Sequence, residues 1–199
     1  MLGFLASAAC RPADAAGTRA GIFDSNGVKI AYRVRGQSEP VLLIHGWLNW
    51  DLPGTTDLLA KHHEVVTIDV RGHGSSDKPL KDEAYGPELV EDIARLMDHL
   101  KIKKAHIIGY SMGGIITAKF LVKHPDLAYS GALSGMGWLR EGSVEQKMFA
   151  GGKDGKPVGI CFRSLAKLAL TEDEIKWIKT PVEVIFGTMT ACRRDISKL

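Results

Sequence analysis

Ser111 is the residue of this chain best placed for nucleophilic chemistry. It lies in Ile107-Ile108-Gly109-Tyr110-Ser111-Met112-Gly113-Gly114, where an apolar run enters a small-X-Ser-X-small turn and continues into helical pattern. Glycines two positions either side of the serine let the backbone turn tightly, since a side chain there would strike the crossing chain. Such a nucleophile elbow lifts the Ser111 hydroxyl above the strand ends. The following helix aims its first amides at the same point, and unpaired N–H groups at a helix start suit a developing negative charge.

A serine hydroxyl is protonated at neutral pH and needs an adjacent base before it can attack a carbonyl. The seven histidines stand at positions 45, 62, 63, 73, 99, 106 and 124. His99 and His124 fall near helix ends, where a surface or dipole-satisfying role is the default. His62 and His63 precede a strand and read as solvated, whereas His106 lies inside the strand before the elbow and reads as facing a helix or as a satisfied core residue. His45 is the one expected near Ser111, either as an unorthodox base or as a structural brace.

The elements that must carry the elbow alternate strand and helix. Asn26-Gly27 tolerates positive φ at both turn centres, so the runs Ile22 to Phe23 and Val28 to Val34 predict a hairpin. Val41 to Ile44 and Glu64 to Ile68 are short continuous apolar runs, as expected of strands buried on both faces. Pro87 starts a helix whose Leu89, Val90, Ile93, Leu96, Met97 and Leu100 form one apolar stripe. Ala105 to Ile108 feeds the elbow, and Met112 to Lys123 is the next helix, stopped at His124-Pro125. Strands at Tyr129 to Leu133 and Val182 to Phe186 complete an α/β pattern with a mostly parallel sheet. Residues 140–180 differ in kind: a Gly-rich loop at 151–157 precedes a helix whose Thr171-Glu172-Asp173-Glu174 has capping-box character. This insertion reads as a small lid over the strand ends, or as a plain crossover.

Two further motifs follow strands, His45-Gly46-Trp47 and Asp69-Val70-Arg71-Gly72-His73-Gly74-Ser75-Ser76-Asp77. Ligands in open α/β sheets bind beyond the carboxyl ends of the strands, so both loops border the crevice of Ser111. With the elbow, this order resembles the α/β-hydrolase superfamily, particularly its small lidded esterase- and lipase-like serine hydrolases, over roughly residues 22–190. The resemblance implies Ser111 as nucleophile, with the backbone amides of Met112 and Trp47 as oxyanion-hole donors. It implies that His45 braces the oxyanion loop and that His73 organises its own loop. The family acid normally follows the strand at Val182 to Phe186 in a G-x-x-Asp pattern. Here Gly187-Thr188-Met189 is followed by Thr190, and Asp195 is the remaining candidate acid. The family base is a His beyond one more strand. The chain ends at Leu199, so the expected fold is an α/β-hydrolase lacking its last strand and helix, with Val182 to Phe186 left as an edge that invites a homodimer.

Composition fits one domain. At 199 residues, 45% hydrophobic and 25% charged, the chain can bury a sizeable core, and a formal charge of +3 implies neither nucleic acid nor a membrane surface as partner. Cys10, Cys161 and Cys192 have no metal or disulfide spacing, no phosphate-binding glycine loop is present, and no cofactor or metal is expected. No apolar run is long enough to span a bilayer. Residues 1–20 read as a disordered or signal-like leader with A-x-A-like sites but no basic start, which leaves a secreted or periplasmic location open beside a cytoplasmic one. Ser197-Lys198-Leu199 spells a peroxisomal address that three common residues produce by chance. Trp47, Trp50 and Trp138 could line an acyl pocket or belong to the core.

Two function classes follow. One is a serine hydrolase acting on small carboxylic esters through an acyl-enzyme at Ser111. A Ser nucleophile argues against the dehalogenase and epoxide hydrolase branches, which use Asp, and leaves perhydrolase or carbon–carbon bond hydrolysis open. The other is a catalytically impaired or truncated homologue, a pseudoenzyme or binding module.

Overall fold

The hairpin turn sets the first edge of the sheet. In a computed structural model describing residues 17–46, 50 and 54–186, β1 (Arg19–Ser25) and β2 (Val28–Arg35) pair antiparallel around Asn26-Gly27. Both turn residues have positive φ, 56° and 82°, as a two-residue hairpin loop matched to the strand twist requires. The last two residues of the stretch expected as a leader, Arg19 and Ala20, belong to β1 and pair with Val34 and Arg33. Residues 1–16, including Cys10, lie outside the described part of the chain.

β3 (Pro40–Ile44), β4 (Glu64–Ile68), β5 (Ala105–Tyr110), β6 (Ala128–Ser134) and β7 (Val182–Ile185) form a parallel block. The order across the seven-stranded sheet is β1-β2-β4-β3-β5-β6-β7. β3 and β4 are buried from their second residues onward, which accounts for the largely apolar runs by which the sequence marks them. The sheet is thus mostly parallel with flanking helices, as expected.

One face carries most of the core. α2 (Pro87–His99) has Pro87 in its first turn and buries Leu89, Val90, Ile93, Leu96 and Met97 on one stripe. α3 (Met112–Lys123) is buried nearly all round, as a helix sandwiched between sheet and neighbours must be. On the opposite face Val41, Leu43 and Val65 form a smaller cluster, with Trp50 and Leu59 of the short α1 (Thr55–Leu59) packed against it.

Between β6 and β7 the chain makes α4 (Val144–Ala150), α5 (Pro157–Ser164), a 3-10 turn at Leu165–Leu168 and α6 (Glu172–Lys176). The Thr171 box is complete: its hydroxyl accepts the Glu174 N–H at 3.1 Å and the Glu174 carboxylate accepts the Thr171 N–H at 2.9 Å. Phe149, Ile160, Cys161, Leu165 and Leu168 from this insertion join the same cluster as Met112, Ile115 and Ile116 of α3. The insertion is therefore packed onto the core as well as tethered to it.

Candidate active site

Ser111 is held in a conformation that few side chains adopt. Its φ is 52° and ψ −113°, a sparsely populated region that costs of order 1–3 kcal/mol and persists only where the surroundings enforce it. The enforcement is visible. The Ser111 N–H donates to the Ser134 carbonyl at 2.7 Å, fixing the turn to the end of β6. A methyl group at Gly113 would overlap the Ile44 carbonyl oxygen, and one at Gly109 would overlap the Gly113 carbonyl and Thr117 Oγ1. The glycines are thus required by close backbone approach, as the motif predicts.

The start of α3 presents amides that lie outside the helical ladder. Ser111 is the N-cap of α3 but makes no side-chain capping bond, so its hydroxyl is not committed to the helix. The intrahelical ladder begins with Gly114 N–H and Ile115 N–H donating to the Ser111 carbonyl at 2.9 and 3.3 Å. The Met112 and Gly113 amides precede that ladder and have no acceptor within the helix. Opposite them comes the β3 loop: a methyl at Gly46 would sit 2.9 Å from Ser111 Cβ, so His45-Gly46 adjoins Ser111 as expected. Trp47, the second proposed oxyanion donor, and Asp195, the candidate acid, lie outside the described residues.

His45 is occupied at both nitrogens. Nδ1 faces the Gly46 carbonyl at 2.6 Å and Nε2 accepts the Val70 N–H at 3.0 Å. That pair fixes the neutral tautomer with its proton on Nδ1. Burial, only partly offset by the Gly46 hydrogen bond and the charge of Asp69, pulls its pKa below the ordinary value of 6.5. The ring thus couples the ends of β3 and β4, and a base role would require it to release the Val70 amide. His73 packs edge-on to it with centroids 5.3 Å apart, and burial, followed by the neighbouring His45, holds its pKa low as well.

The loop carrying His73 is fastened by groups whose roles the sequence did not disclose. Asp69 accepts the Ser75 N–H at 2.8 Å, and Ser76 accepts the Ala31 N–H at 2.8 Å while donating to the Asp69 carbonyl at 2.5 Å. Arg71, 1% exposed, makes a bidentate pair with Asp92 of α2 at 2.7 and 2.5 Å and donates a third bond to the Ala84 carbonyl at 2.5 Å. On the other flank, Cys161 of α5 lies 3.9 Å from the Met112 sulfur. Burial pushes its thiol up to about 12, in keeping with a side chain packed as an apolar group. Trp50 and Trp138 both belong to packed clusters, Trp138 with Ala118, Leu133 and Leu170. Among the described residues, no group of three or more His, Cys, Asp or Glu side chains is placed to hold a metal ion, and no helix is long and apolar enough to cross a membrane.

Comparison with known proteins agrees with this architecture. Residues 39–149, more than half of the chain, match the family described as the alpha/beta hydrolase fold, and the chain belongs to that family. It is 36% identical over 115 residues to a dihydrolipoyllysine-residue acetyltransferase component of the acetoin cleaving system of Cupriavidus necator, covering 55% of this chain and 30% of that protein. It is 32% identical over 120 residues to a 2-hydroxymuconate semialdehyde hydrolase of Pseudomonas sp. strain CF600, covering 56% and 38%. The chain thus matches only about a third of the length of these curated relatives. Among solved structures, a meta-cleavage product hydrolase of Pseudomonas fluorescens superposes with a TM-score of 0.69 at 23% identity, covering 84% of this chain and 79% of that one. An alpha/beta hydrolase enzyme from a deep-sea metagenome library gives 0.70 at 16% identity, covering 82% and 78%. These two likenesses show the fold alone.

Proposed function

We propose that this chain is a serine hydrolase of the alpha/beta hydrolase family that cleaves small carboxylic esters through an acyl-enzyme at Ser111. The observation that carries this reading is the strained Ser111 itself, a non-glycine residue at φ 52° whose hydroxyl is uncommitted at the start of α3. In this reading the substrate carbonyl oxygen takes the amides of Met112 and Trp47, and each such donor contributes about 10²- to 10³-fold in rate. His45 acts as the brace of the oxyanion turn, and Asp195 is the candidate acid. The 2-hydroxymuconate semialdehyde hydrolase among the relatives supports a hydrolase of this superfamily.

A second reading, a catalytically impaired member that keeps the pocket for binding, is favoured by one observation: no histidine hydrogen-bonds Ser111 among the described residues, and His45 has both nitrogens engaged. A fluorophosphonate probe separates the two. An adduct mapped by mass spectrometry to Ser111, stoichiometric in the native chain and lost from that peptide in Ser111→Ala, is the expected result. No adduct on Ser111 under conditions that label an authentic serine esterase would leave only the binding module.

A further inference from the structure

The carboxyl ends of the parallel strands carry Ser111, and their amino ends carry another serine with an acid–base pair behind it. Ser130, the third residue of β6, lies with its Oγ 2.7 Å from His106 Nδ1. The opposite nitrogen, His106 Nε2, lies 3.3 Å from Glu39 Oε2. The sheet register brings the three together. His106 of β5 is paired with Ser130 of β6 on one side and with Val41 of β3 on the other, two residues after Glu39.

The local backbone departs from regular pairing at this point. Ala105 pairs with Ala128 but His106 pairs with Ser130, so Tyr129 is an extra residue in β6. Bulges re-aim side chains and are over-represented beside active sites. Here the bulge places the Tyr129 ring 5.5 Å from the imidazole centroid as well as delivering Ser130 to Nδ1. The ammonium of Lys104 lies over the same Tyr129 ring, 5.9 Å from its centroid. His106, expected from the sequence to face a helix or to be a satisfied core residue, is hydrogen-bonded but only half-buried.

The arrangement has the logic of an activated nucleophile. The Glu39 carboxylate, 3.3 Å from Nε2 at ion-pair distance without hydrogen-bond alignment, favours a proton on that nitrogen by charge, and in that tautomer the lone pair of Nδ1 faces the Ser130 hydroxyl. Nucleophile, base and orienting acid are recognised by these roles and their geometry, whatever their order in the chain. Ser130 is only partly buried and Glu39 is half-exposed, so a reagent can approach from solvent.

We propose that Ser130, activated by His106 and Glu39, is a second acyl-accepting serine that reacts with activated carboxylic esters. Ser130 Oγ forms a bond to the acyl carbon while its proton passes to His106 Nδ1. The bond from that carbon to the departing aryloxide breaks, and the aryloxide leaves with the proton. The products are acyl-Ser130 and a phenol, with no other reactant required. Ser130 has no helix start behind it, so its acylation is expected to be slower than that of an elbow serine and to leave a persistent mark.

The test uses Ser111→Ala protein, so that its outcome is independent of what Ser111 does. Incubation with p-nitrophenyl acetate or a fluorophosphonate, followed by peptide mapping, is expected to place an adduct on Ser130. Its rate is expected to fall at least about tenfold in His106→Gln, within the range general-base assistance contributes, and severalfold in Glu39→Gln. No adduct on Ser130, or one formed equally fast in both variants, overturns the proposal. Should His106→Gln lose the native circular dichroism spectrum, the half-exposed Glu39→Gln decides alone, and an unchanged rate there is sufficient refutation.

Discussion

A strained serine is useful only if the chain around it cannot relax, and at Ser111 the restraint is built from missing side chains. Ile115, Ile116, Phe120 and Leu121 of α3 are almost completely buried, and each contributes about 1.5–3 kcal/mol by leaving water. Together they outweigh the 1–3 kcal/mol typical of such a backbone conformation. The helix can dock that closely only because Gly113 has no Cβ to meet the Ile44 carbonyl. Backbone on both sides leaves nothing to rotate away. Gly113→Ala is therefore expected to destabilise the fold by about 1–3 kcal/mol or more, the usual range for overpacking, and to abolish labelling of Ser111 by displacing the elbow. Gly155→Ala is the control, since a methyl there meets nothing within 4 Å and its φ is not left-handed. It should leave the urea midpoint unchanged or slightly raised. Equal midpoints for the two variants would show that the turn is looser than described.

At the scale of elements, the loop between β4 and α2 shows what pattern can reveal and what it cannot. The strands β3, β4 and β5 were legible because most of their residues are apolar and buried, and α2 because thirteen residues give the helical period room to repeat. The α6 cap was legible from four adjacent residues. α4 and α5, seven and eight residues long, offer barely two turns and no comparable signal. The site divides along the same line. Ser111 and its glycines were legible because the elbow is local, whereas the Ser130–His106–Glu39 alignment depends on a bulge that no spacing announces. Arg71 and Asp92 were invisible for a related reason: twenty-one positions apart, they meet only when loop and helix pack. Both side chains are 2% exposed, and Asp92 Oδ1 also accepts the Ser25 hydroxyl at 2.5 Å. Breaking a buried pair leaves one charge uncompensated, at a cost of about 3–5 kcal/mol. Asp92→Asn should lose about that much stability in urea titration, whereas Asp82→Asn, which breaks the more exposed Arg163–Asp82 pair, should barely move the midpoint because solvent screens that pair. Comparable losses in the two variants would mean that Arg71 is not the rivet between loop and helix.

For the whole molecule the unequal edges of the sheet matter most. β1 closes one side with a strand whose ends are polar and whose Arg19 and Asp24 are ion-paired to Glu64 of β4 and Lys29 of β2. Such charged edges resist pairing with another chain. β7 on the other side is paired only with β6 among the described residues, and it exposes Val182 and Ile185 to 37% and 52%. A strand edge with apolar side chains and free backbone groups is a template for a second copy. In an antiparallel pair about a two-fold axis, centring on Glu183 would set like charges opposite, which is destabilising, whereas centring on Val184 sets Glu183 against Ile185. The second register is therefore the expected one. Light scattering over a hundredfold range of concentration should show a dimer that dissociates on dilution, and Ile185→Lys should shift the chain toward monomer by charging the edge. Circular dichroism should remain native in that variant, because Ile185 is already half in solvent. A monomer at every concentration in the unsubstituted chain would count against pairing through β7.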